Sequence, residues 1–164
     1  MVLLPLLSCT GIPAGVETVR EFDLDRYLGT WYEIARLDHS FERNLEQVTA
    51  TYSPRARGGI EVVNRGFNPA EDAWKVAVGK AFPAGPPGEG RLKVSFFGPF
   101  YGGYNIIALD REHYGWAMVC GPSRKYLWIL AREPRLDAEI VASLLARAKE
   151  LGFAIDQLIW VNHS

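Results

Sequence analysis

The chain has 164 residues, close to half of them apolar, and a formal net charge of −1. That is enough chain for one domain with a sizeable core, and the apolar content excludes a disordered one. The near-balanced charge, with no basic stripe, excludes a nucleic-acid partner, so the plentiful Trp, Tyr and Phe read as core and cavity lining rather than a base-stacking platform.

His39, His113 and His163 are far apart and lack the short spacings of a zinc site, so neither metal nor cofactor is implied. Cys9 and Cys120 would pair only if the N-terminal tail folded back onto the domain, and they read as having separate fates. Residues 1–9 resemble the end of an apolar secretory signal running into a lipoprotein cleavage box, Leu6-Leu7-Ser8-Cys9. The apolar run is short and has no basic leader, which keeps an ordinary apolar tail with a chance Cys as the alternative. Residues 10–21 read as a tether. Asp23 then caps a short helical turn that plugs one end of the strand-rich domain.

Residues 29–37 open the strands. By strict alternation Trp31, Glu33, Ala35 and Leu37 lie on one face, and Tyr32, Ile34 and Arg36 on the other. Large apolar groups on both faces predict cover on both, a barrel interior on one side and a helix on the other. Further strands are expected over 47–53, 60–67, 74–82, 91–97, 104–110, 115–120 and 125–131, with an aromatic loop at 98–103. Asp137 is a good N-cap for a helix whose stripe is Ile140, Val141, Leu144, Leu145, Ala148 and Leu151, with Gly152 as its stop. A last short strand at 158–161 would pair beside the first.

These elements predict an all-β fold: an eight-stranded up-and-down antiparallel barrel with one C-terminal α-helix packed outside and room for one small ligand. The expected organisation is a signal remnant at 1–9, a tether at 10–21 and the barrel domain at 22–164. Alternation assigns the interior to Ala35, Val48, Ala50, Tyr52, Val62, Asn64, Ala77, Val94, Phe96, Tyr104, Ile106, Val119, Tyr126 and Trp128. Small residues among aromatic walls with hydroxyls suit an acyl chain with a polar head. A filled barrel is the bland alternative.

The Gly29-x-Trp31 start and the strand 126–132 ending in Arg132 resemble the first and last signatures of the lipocalins. Asp110 keeps part of the middle one. Segments 29–35, 95–110 and 120–130 look like the bacterial outer-membrane lipoprotein lipocalins, with apolipoprotein D a more distant likeness. The resemblance implies that Arg132 packs over Trp31 and closes the barrel base. It implies acylation at Cys9, with attachment to the periplasmic side of the outer membrane, since Thr10 rather than Asp follows the Cys. The implied cargo is a fatty acid or lysophospholipid, held for envelope storage or transport. Arg43 and Arg65 would either meet the cargo's anionic head or remain surface charges. The cluster at 97–101 would touch a membrane or a second copy in a homodimer. An esterase or isomerase using Cys120 or tyrosine hydroxyls is the rival reading, and a non-binding interaction protein a third. No base is arranged for Cys120, which favours binding over catalysis.

Overall fold

A computed structural model describes residues 10–164, so the acylation expected at Cys9 lies outside the described residues. Eight strands follow one another as a meander: β1 (Gly29–Leu37), β2 (Glu46–Pro54), β3 (Ile60–Asn68), β4 (Ala73–Pro83), β5 (Arg91–Phe97), β6 (Phe100–Leu109), β7 (Trp116–Cys120) and β8 (Leu127–Ala131). Each pairs antiparallel with the next, and β1 pairs with both β2 and β8, which closes the barrel. A short helix, α1 (Leu24–Tyr27), precedes β1. Helix α2 (Ala138–Glu150) follows β8, and β9 (Leu158–Trp160) pairs with the end of β1 outside the barrel. This is the expected architecture. The largest boundary difference is in the expected aromatic loop, whose residues 100–103 form the first part of β6, where Gly102 pairs with Val94 and Gly103 with Lys93.

Period-two patterning explains where the core sits. In β7, Ala117 and Val119 join the apolar cluster inside the barrel, while Met118 and Cys120 join the cluster between the wall and α2. Both faces are buried, which is why β7 and β8 read as continuous apolar runs. Helix α2 is there because the outer cluster needs a cover. The Asp137 carboxylate accepts from the Glu139 amide, and Leu144 and Ala148, one turn apart, are buried against the wall. Burying a Leu of this kind stabilises by roughly 1.5–3 kcal/mol. Gly152 ends the helix in the left-handed region at φ 88°.

Alternation breaks once in β1. Glu33 pairs with Leu130 and Ala35 with Ile129, so Ile34 is an extra residue, a bulge. The carbonyls it displaces are met from the C-terminal strap. His163 Nε2 donates to Glu33 O at 2.7 Å, and the Val161 amide donates to Ile34 O at 3.0 Å. Trp31 and Glu33 face inward, but the bulge reverses the parity after them. Ala35, expected inside, joins the helix-side cluster. Arg36, expected outside, lies opposite Trp128 and points into the barrel.

Candidate ligand-binding site

The lumen has a sealed end and an open one. At the sealed end Trp31 is fully buried and its Nε1 donates to Tyr27 O at 2.8 Å. The Arg132 guanidinium carbon sits 3.9 Å from the centre of that indole. Its nitrogens donate to the carbonyls of Arg26, Thr30 and Tyr114. Gly29 is required here on two counts. Its φ is 105°, and a Cβ would come within 3.1 Å of Arg132 Nη1. Above this floor Tyr104 Oη lies 2.6 Å from Tyr27 Oη and 2.9 Å from Tyr52 Oη. Burial raises the pKa of all three phenols, so the trio stays protonated. Asp110 holds the neighbouring β6–β7 turn by accepting from the amides of Glu112, His113 and Gly115.

Further up is a polar layer that strict alternation missed. Arg36 Nη1 donates to Glu33 Oε1 at 3.2 Å, and Nη2 donates to the carbonyls of Glu42 and Leu45, drawing the loop between β1 and β2 across the mouth. Glu42 Oε2 lies 3.7 Å from Arg36 Nε and 3.4 Å from His39 Nε2. Burial, reinforced by the Glu42 charge, pushes the Glu33 carboxyl well above the usual range, so Glu33 holds the proton of the pair. Burial also acts to raise Glu42. The approach of His39 and of the protonated Glu33, with the Arg36 charge, outweighs it and leaves Glu42 lowered. The sequence does carry one signal for this layer: Glu33, Arg36, Asp38, His39 and Glu42 crowd around the end of an otherwise apolar strand. Arg43 and Arg65 are placed elsewhere. Arg43 pairs with Asp38 on the exposed surface of the loop. Arg65 points outward, its guanidinium 3.4 Å above Trp74.

The register places Ala50, Tyr52, Val62, Asn64, Ala77, Val94, Phe96, Tyr104, Ile106, Val119 and Trp128 on the inward positions, with Tyr126 stacked against Trp128 at the mouth. Val48, buried against Gly66, shares that face. Depth separates them. Tyr52, Val62, Ile106 and Val119 are buried, Ala50, Asn64, Val94, Phe96, Tyr104, Tyr126 and Trp128 are half-buried, and Ala77 is exposed. Ala77 is open because β4 pairs with β5 only from Lys80 to Pro83, so the wall parts above that point. Inward-facing Gly102 is the clearest sign of room: a Cβ built there meets no atom within 4 Å. Phe41, Phe97 and Phe100 are exposed around this mouth. A surface depression of about 200 Å³ lies outside the barrel between Trp116 and α2. Cys120 faces the helix side, buried, with its thiol pushed up to about 12 by burial, which keeps it protonated and poorly nucleophilic.

Residues 22–163 match the family model for a Lipocalin-like domain. The chain belongs to the lipocalin family. This lipocalin is 59% identical to outer membrane lipoprotein Blc of Citrobacter freundii over 92% of its own length and 84% of the relative's. It is 51% identical to outer membrane lipoprotein Blc of Vibrio cholerae, covering 96% and 92% of the two chains. Apolipoprotein D of Bos taurus is 33% identical over 75% of this lipocalin and 67% of that protein. Among solved structures, insecticyanin from Manduca sexta superposes with a TM-score of 0.74 at 20% identity, covering 94% and 88% of the chains, a likeness of fold.

Proposed function

We propose that this lipocalin is a membrane-anchored carrier of a single-chain lipid, a fatty acid or lysophospholipid, serving envelope storage or transport on the periplasmic side of a bacterial outer membrane. The observation that carries the reading is the open upper lumen: Gly102 facing free space among half-buried apolar and aromatic walls, above a floor sealed by Trp31 and Arg132. The names of the Citrobacter and Vibrio relatives support the outer-membrane attachment. Acylation at Cys9 would supply it, at about 0.8 kcal/mol per buried CH₂. The tail after Cys9 lies on the barrel wall, with Asn105 Nδ2 donating to Gly11 O and the Val19 amide to Ile106 O, so such an anchor holds the barrel close to its membrane. The exposed phenylalanines at the mouth suit contact with that lipid surface. Binding without turnover fits the inert, helix-facing Cys120.

Native mass spectrometry of the purified protein is expected to show one co-purified single-chain lipid per barrel, and added lipid to quench tryptophan fluorescence saturably. Gly102→Trp, which fills the open space, is expected to abolish both while the protein still melts cooperatively. Absence of lipid together with absence of saturable quenching in the unaltered protein would refute the carrier reading. Size-exclusion chromatography with and without lipid separates a monomer facing the membrane from a homodimer joined rim to rim.

A further inference from the structure

The segment that follows Cys9 is pinned to the wall at a defined place. Arg91 Nη2 donates to Thr10 O at 3.4 Å and Asn105 Nδ2 to Gly11 O at 3.1 Å, while Val16 is buried in the helix-side cluster. Cys9 is the next residue back, about 3.8 Å along the chain, so an acyl group on it starts close to Arg91. Arg91 opens β5 and pairs with Asn105. Leu92, Val94 and Phe96 take the inward positions of that strand, which leaves Arg91, Lys93 and Ser95 facing outward.

From that point an aromatic and cationic stripe crosses the outer wall. Lys93 and Lys80 both approach the Tyr101 ring, with Nζ 5.0 and 5.9 Å from its centroid. Phe82 lies 6.3 Å from Tyr101 and under the Arg55 guanidinium. On β4 the outward row continues through Val78, Val76 and Trp74, and Arg65 covers Trp74. Val76 and Val78 are each 58% exposed. Arg55, Arg65, Lys80 and Lys93 have no carboxylate within 4.0 Å among the described residues. The acid on the outward positions of β3 to β5 is Glu61, opposite Lys80. The other flank differs. Helix α2 balances Glu139 and Glu150 against Arg147 and Lys149, and its Leu144 and Ala148 are buried.

A phospholipid surface with anionic heads matches the stripe in charge and in side-chain type. The negative surface potential attracts unpaired Lys and Arg. Their stems lie along apolar groups while the charge stays at the head groups, and Trp and Tyr rings settle at the same depth. The stripe also begins where the chain's own acyl anchor would enter a bilayer, which selects a membrane over a protein partner.

We propose that the outward face of β3 to β6, around Lys80, Lys93, Tyr101, Val76 and Trp74, lies against the bilayer and reads its anionic phospholipids. The anchored barrel then rests on its flank, with the Phe97 and Phe100 edge of the mouth turned toward the lipid. The inference rests on the membrane-anchored reading and adds to it which face meets the membrane and which head groups hold it.

The full chain carrying Cys9→Ser lacks the acyl anchor and tests the face alone. In that background Val76→Cys, Phe100→Cys and Ser143→Cys are each labelled with a polarity-sensitive fluorophore, Cys120 being buried. Each is mixed with vesicles of phosphatidylethanolamine and phosphatidylglycerol, or of phosphatidylcholine alone. The Val76 probe is expected to brighten and shift to the blue on the anionic vesicles, and the Ser143 probe to stay unchanged. Binding to phosphatidylcholine is expected to be at least roughly tenfold weaker, and Lys80→Gln with Lys93→Gln to weaken anionic binding by roughly tenfold or more, at about fivefold per cation. Added salt should act in the same direction. Equal binding to both vesicles, or to neither, overturns the proposal. So does a Phe100 probe that responds while the Val76 probe does not, which marks a barrel standing on its mouth. A Val76 signal that rises with protein concentration without vesicles also overturns it, since a second copy then covers the face. The mass of the unaltered chain from the membrane fraction shows separately whether Cys9 is acylated, so a failed anchor and a failed face are told apart.

Discussion

The two ends of the lumen are both built on β1, and they use charge in opposite ways. At the sealed end the cation is Arg132, which has no carboxylate partner among the described residues. It lies across an indole and donates to three backbone carbonyls. At the open end the cation is Arg36, held between the protonated Glu33 carboxyl, the Glu42 carboxylate and the loop it draws over the mouth. The first arrangement is neutral toward pH and stiff, because its partners cannot titrate. The second depends on which carboxylate keeps the proton. A single protein thus separates a structural guanidinium from one placed where a ligand arrives.

Substitutions can break that contrast in order of size. Trp31→Ala should cost about 3–5 kcal/mol in urea unfolding, since it removes a fully buried indole from the floor. Arg36→Ala should cost about 3 kcal/mol because Glu42 is left buried and charged, and Glu42→Gln should restore part of the loss. Recovery of nothing in the double variant would mean that Arg36 acts by packing alone. Arg132→Ala should cost less, and its effect should be non-additive with Trp31→Ala by about 0.5–3 kcal/mol. Strict additivity in the double-mutant cycle would mean that the stacked pair is not coupled.

The smallest expected effect is the dependence on pH. The folded pKa of Glu33 lies above its ordinary 4.5, so its contribution is complete below that value and is lost as pH rises through the folded one. Glu42 is lowered, so its contribution is present above 4.5 and is lost as pH falls. Thermal melts from about pH 5 upward should therefore show the unaltered protein losing stability more steeply than Glu33→Gln. Parallel curves for the two proteins would contradict a proton held on Glu33. No such difference is expected from Arg132→Ala, which keeps the two ends distinct.

Legibility from the residues alone divides along the same line. The floor was legible because the Gly29-x-Trp31 start and the strand ending in Arg132 resemble the lipocalin signatures, and the structure lays that guanidinium on that indole. The strands were legible because β7 and β8 keep period two without interruption. The polar layer was not, because one extra residue at Ile34 exchanges the faces of Ala35 and Arg36, and nothing in the local composition marks a bulge. The parting of β4 from β5 was equally hidden. Trp74, Val76 and Val78 continue an alternation suited to a paired strand, yet they stand exposed on the outer face.

That parting has a mechanical consequence. Above Lys80, β4 is stitched to β3 alone, so this panel of the wall can swing outward without rupturing any rung shared with β5. Below it every strand is laced on both sides. The rim is therefore held by fewer cross-strand hydrogen bonds along this panel than the wall beneath it.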